Sequence, residues 1–139
     1  MTKKIAVVTT IMRVVLGILF LKHGIGKFQM GLGNVDAWFS SIGVPGFMAY
    51  IIAIIEVVGG VMLIVGLFSR VVSALFILVM VGAIATVKFS AGLLGTDEMA
   101  GYEMELSFML ISAYLLVSEP TPLSVDYMIR KKRGLSVGN

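Results

Sequence analysis

The sequence predicts an all-α integral membrane protein: a bundle of four transmembrane helices with both the N- and C-termini cytoplasmic. Three observations carry this. Of 139 residues, 58% are hydrophobic and only 14% charged, against about 25% charged in a soluble domain. Four apolar stretches are long enough, with their flanks, to approach the roughly 20 residues that cross a bilayer core of about 30 Å. Lysine and arginine also divide unevenly between the two sides that this threading creates. The length allows one compact unit, residues 1–139.

The first stretch covers residues 5–28. Lys3 and Lys4 precede it like the basic region of a signal peptide. Arg13 interrupts the apolar run, however, and Gly24 and Gly26 lie among Lys22, His23 and Lys27, a poor cleavage context, so it reads as a retained span. The break at 29–46 carries Trp38 and Phe39, as an interfacial aromatic belt would. Gly43, Val44, Pro45 and Gly46 then form a turn into the second stretch, 47–68. Only Ser69 and Arg70 separate this from the third, 71–88, which predicts a tight antiparallel hairpin. The fourth covers 102–118 and ends at Pro120 and Pro122. Residues 119–139 are a basic, partly amphipathic tail. Lys3, Lys4, Arg70, Arg130, Lys131, Lys132 and Arg133 fall on one side, and Lys22, Lys27 and Lys88 on the other. The first side is therefore the cytoplasmic one. Arg13 to Lys27 and Arg70 to Lys88 are similarly flanked, which suggests a duplicated pair of hairpins.

Two charges lie inside apolar runs, where each costs roughly 2.5–3.5 kcal/mol on insertion scales and calls for a partner or a wet cavity. Counting from Ile5 puts Arg13 about 12 Å into the first helix, and counting from Phe47 puts Glu56 about 13–14 Å into the second. The expectation is an Arg13–Glu56 ion pair, a buried polar core of structural or proton-handling use. Gly17, Gly24, Gly59, Gly60 and Gly66 let backbones approach, within the bundle or between protomers of a homo-oligomer.

A second charged set lies near the outer interface: His23 and Lys27, Lys88, and Glu103 and Glu105. Glu103 and Glu105 are two apart and cannot share one helix face. A histidine, lysines and a carboxylate at the edge of a lipid-facing bundle suit a quinone head group, whose oxygens need hydrogen bonds and a proton donor. The alternative is interfacial anchoring by snorkelling side chains. Asp97 and Glu98 read as solvated, and Asp126 as a cap or partner near the tail.

With no cysteine and one histidine, one chain cannot supply a disulfide, an iron–sulfur cluster, thiol redox chemistry or bis-histidine haem ligation. No haem, flavin or metal site is evident, and the ten methionines read as packing. The excess of basic residues fits anionic lipid rather than nucleic acid.

Several segments together resemble the DoxX family. They are Arg13, Val14, Val15, Leu16 and Gly17; Phe20, Leu21, Lys22, His23 and Gly24; Lys27 and Phe28; and Ile42 to Gly46. Ala53 to Gly60 with Gly66 to Arg70, Met80 to Ala83 with Lys88 to Gly92, and Gly101, Tyr102 and Glu103 extend the resemblance over nearly the whole chain. It favours Glu103 over Glu105 as the inward carboxylate. It implies a small four-helix protein of the bacterial inner membrane, described as an oxidoreductase, with links to quinone and catechol handling. The expected function is a membrane component of quinone-linked redox chemistry. His23, Lys88 and Glu103 would be its catalytic residues, and Lys27 and Glu105 would join them around the quinone. A redox partner protein would carry electrons. The alternatives are a non-catalytic scaffold for a redox enzyme and a small-molecule carrier.

Overall fold

The computed structural model describes residues 2–135, so the last four residues of the predicted tail lie outside the described residues. The described chain is all-α. Helix α1 covers Lys3–Met30, α2 Leu32–Ser41, α3 Met48–Val65, α4 Ser69–Ala83, α5 Glu103–Val117 and α6 Val125–Lys132. Beyond α4 the chain continues through one widened π turn, Ile84–Lys88, and a 3-10 turn, Phe89–Ala91. Three helical segments are long and apolar enough to cross a membrane: Lys3–Met30, Met48–Val65 and Ser69–Ala91. Helix α5 has 15 residues.

The long helices share one design. Their buried residues recur every three or four positions: Thr9, Arg13, Leu16, Phe20 and Gly24 on α1, and Ala49, Ala53, Glu56, Gly60 and Leu63 on α3. Helix α4 continues the pattern with Val72, Phe76 and Met80, and α5 with Glu105, Phe108, Ser112 and Leu115. The opposite faces are apolar and exposed, among them Ile11, Ile18, Ile54, Val61, Leu78 and Leu110. That is the inverse of a soluble bundle and suits a lipid surround. Phe20 stacks on Phe76 with ring centroids 3.7 Å apart and leans on Phe108 at 5.5 Å, so one aromatic cluster joins α1, α4 and α5.

Helices α1 and α3 run antiparallel and pack most extensively, followed by α4 with α5. The first packing is set by glycine. A Cβ on Gly17 would fall 2.8 Å from the Gly60 carbonyl oxygen, and one on Gly60 would fall 2.8 Å from that of Gly17. The two backbones therefore approach as only small residues allow. Helices α3 and α4, expected to form the tight hairpin, touch much less. Gly66, at φ 75°, ends α3 in the left-handed conformation, with the Leu67 amide bonded to the Met62 carbonyl at 2.8 Å, a Schellman stop.

The break at 29–46 contains α2. Gly31, at φ 88°, separates it from α1, and Val35 and Phe39 pack on Ala49 of α3. The tail is likewise folded back. Asp126 accepts hydrogen bonds from the Phe68 and Ser69 amides at 2.7 and 3.0 Å, capping α4, while its own amide donates to the Gly66 carbonyl.

Candidate functional site

The predicted Arg13–Glu56 pair does not form. The reciprocal contact of Gly17 with Gly60 fixes the register, so one turn below Gly17 comes Arg13, opposite the last turn of α3. There its Nε donates to the Leu63 carbonyl at 3.0 Å and Nη2 to those of Ile64 at 3.4 Å and Leu123 at 2.8 Å. Nη1 donates to Thr121 Oγ1 at 3.0 Å. The last carbonyls of a helix lack internal partners and carry partial negative charge, so the guanidinium serves as a C-terminal cap. Glu56 lies eight residues earlier on α3, about 12 Å along the axis. Depth counted from assumed span edges had hidden this offset.

Glu56 instead pairs with Lys27. The ammonium meets both carboxylate oxygens, at 3.0 and 2.8 Å, and the Glu56 side chain is only 4% exposed. Lys88 pairs with Glu105 at 2.6 Å, the carboxylate being 6% exposed. Glu105, not Glu103, is thus the inward carboxylate. Glu103 is exposed on the first turn of α5. The phase of α5 decides this: Glu105 lies three residues before Phe108 and seven before Ser112, on the buried stripe, and Glu103 does not. Each antiparallel pair of helices therefore holds one lysine–glutamate bridge, α1 with α3 and the α4 extension with α5.

Both bridges face one cavity of about 620 Å³. Phe20, Met80 and Phe108 line it from the core side, Trp38, Phe39 and Pro45 from α2 and the turn after it, and His23 joins the wall beside the two bridges. His23 and Lys27 are four apart and share a face of α1. The imidazole meets Phe108 edge-on, centroids 6.2 Å apart. Lys88 reaches the cavity through the π turn. Eight residues of regular α-helix would rotate it about 80° past Met80. The wider turn winds less per residue, and both residues line the cavity. Trp38 and Phe39, read as belt residues, also line this cavity.

The site is mostly apolar with few convergent charges, the usual make-up of a small-molecule pocket. It also holds an unsatisfied acceptor. Glu105 Oε2 is buried with no hydrogen-bond partner among the described residues, an arrangement that costs about 1–3 kcal/mol or more for a charged group. Among the same residues no cluster of three or more histidine, aspartate and glutamate side chains could hold a metal ion.

The DoxX family profile matches residues 8–89, more than half of the chain, including Arg13, His23, Lys27, Glu56 and Lys88. The chain belongs to the DoxX family. It is similar to the protein named "Putative oxidoreductase CatD" of Bacillus subtilis, with 40% identity over 131 residues, covering 94% of this chain and 93% of the relative. "Uncharacterized membrane protein Rv3486" of Mycobacterium tuberculosis is 34% identical over 86% of this chain and 80% of its own. "Inner membrane protein YqjF" of Escherichia coli is 26% identical over 86% and 90%. No solved structure matches. With three apolar helices of membrane-crossing length, this DoxX protein is a multi-pass protein of the cell membrane.

Proposed function

We propose that this DoxX protein is a membrane component of quinone-linked redox chemistry, with the 620 Å³ cavity as its head-group site. Helices α1, α3, α4 with its extension, and α5 would be the four spans. The end bearing Lys3, Arg70 and α6 would face the cytoplasm, by the excess of lysine and arginine there. The observation that carries the reading is the pairing of an apolar, aromatic-walled cavity with two ammonium–carboxylate bridges whose carboxylates are buried. The Bacillus subtilis relative, similar over nearly the whole chain, bears the name "Putative oxidoreductase CatD".

The residues fit the group. Ring oxygens of a quinone accept hydrogen bonds, and Lys27 and Lys88 each have N–H groups beyond those their carboxylates use. A quinol hydroxyl donates, and the cavity wall offers the Lys88-paired Glu105 and Lys27-paired Glu56 carboxylates as acceptors. A bound quinone would supply the two-electron, two-proton couple. The chain's part is to orient the ring between Phe20, Trp38 and Phe108, and to accept or deliver protons at Glu105, Glu56 and His23. A redox partner protein would exchange the two electrons. Glu103, outside the cavity lining, has no part in this scheme.

The protein's single tryptophan lines the cavity and serves as a probe. Titration of the detergent-solubilised protein with a short-chain quinone should quench Trp38 fluorescence saturably. Lys88→Met should weaken the apparent affinity by about tenfold, the worth of one charge-assisted hydrogen bond. Quenching that never saturates, or is equal in Lys88→Met, would sink the head-group site.

A further inference from the structure

At the other end of the helices lies a second cavity, of about 310 Å³, between α1, the start of α4, the end of α5 and α6. We propose that it binds a phosphate-type oxyanion, either the phosphodiester of an anionic lipid or free phosphate.

Three guanidinium groups line the cavity: Arg13, Arg70 and Arg130. Arg13 is 4% exposed, and every hydrogen bond it makes goes to a carbonyl or a hydroxyl oxygen. No carboxylate lies within ion-pair distance of it among the described residues. The partial charges of those carbonyls offset only part of a buried unit charge, and an anion nearby would offset more. Arg70 spends Nε and Nη2 on the Ser118 carbonyl, at 3.3 and 3.2 Å, which fixes the plane of the group while Nη1 keeps its donors. Arg130 reaches Glu119 only at 3.9 Å, a loose contact beside a half-exposed carboxylate.

The two acidic residues on the wall, Asp126 and Glu119, offset part of this charge but leave the three arginines in excess. Both oxygens of Asp126 already accept backbone amides of α4. Glu119 faces Arg130 alone among the described residues. The planar guanidinium fork matches an oxyanion with two parallel hydrogen bonds, better than an ammonium could. The remaining wall includes Phe68, Val71, Leu115 and Ile129, apolar surface that suits the glyceryl and first acyl carbons of a lipid. Phe68, Val117, Leu123 and Met128 are exposed apolar residues at this same end, so the cavity opens where lipid head groups would lie.

The test compares two charge-matched double variants of the full chain in mild detergent. Arg70→Gln with Arg130→Gln removes two charges from the cavity. Lys131→Gln with Lys132→Gln removes two from the exposed, non-lining face of α6. Thermal stability is read against inorganic phosphate, with chloride at matched ionic strength as control. It is read also against short-chain phosphatidylglycerol, with the corresponding phosphatidylcholine as control. The wild type and the lysine variant should be stabilised, and the arginine variant should need at least about tenfold more ligand. Stabilisation by phosphatidylglycerol alone identifies the lipid as the source; stabilisation by both identifies the oxyanion itself as sufficient. No stabilisation by either probe, or equal losses in the two variants, overturns the proposal, the latter because it reports only diffuse attraction to a basic tail.

Discussion

At the scale of single residues, the arrangement rests on which charges meet. Lys27→Met leaves the buried Glu56 carboxylate without its ammonium, and thermal unfolding in detergent should register a loss of about 3–5 kcal/mol. Adding Glu56→Gln should recover most of it. Arg13→Met combined with Glu56→Gln should instead be additive, because the two side chains share no partner; a coupling beyond the additivity error would restore the pair expected from the sequence. Glu103→Gln should change stability by no more than about 0.5 kcal/mol, as an exposed substitution does, whereas Glu105→Gln should free Lys88. The sequence brought His23, Lys27, Lys88 and the α5 carboxylates together, because charges stand out against an apolar background. It did not reveal partners. Arg13 binds main-chain carbonyls, which every helix end offers and no side-chain pattern announces. Glu105 could have been chosen over Glu103 from its spacing to Phe108, Ser112 and Leu115.

At the scale of elements, register does the work that hydrophobic contrast does in soluble proteins. Gly17 and Gly60 each sit against the other's carbonyl. Gly17→Leu should cost about 1–3 kcal/mol by overpacking and, in sliding α1 along α3, should also loosen Lys27 from Glu56. Gly26→Leu, where an added Cβ meets nothing, is the matched control, and equal effects on stability would refute the glycine contact. The π turn at Ile84–Lys88 is the corresponding device on the other pair of helices. Deleting one residue there should turn Lys88 away from Glu105 and weaken quinone quenching of Trp38, without loss of the helical signal in circular dichroism. Helix α2 was not legible in the sequence. Ten residues with Gly33 and Asn34 make a marginal helix in isolation, and it is held by Val35 and Phe39 packing on Ala49.

At the scale of the whole molecule, composition was enough to read an all-α membrane protein, and apolar runs were enough to find helices of membrane-crossing length. Which face of each helix turns inward was harder to see, because lipid-facing and core-facing sides are both apolar. Polar and small residues mark the buried stripes instead. The result is a bundle with a cavity at each end: two lysine–glutamate bridges beside an aromatic-walled one, and three arginines beside a smaller one. The central claim is that the larger cavity holds a quinone. Its most direct test is the quinone content of protein extracted gently from membranes, measured by mass spectrometry against protein concentration. The account predicts near-stoichiometric quinone in the wild type and in Glu103→Gln, and a loss of most of it in the double variant Lys88→Met, Glu105→Gln. Protein that carries no quinone, or carries it equally in that double variant, would contradict the account.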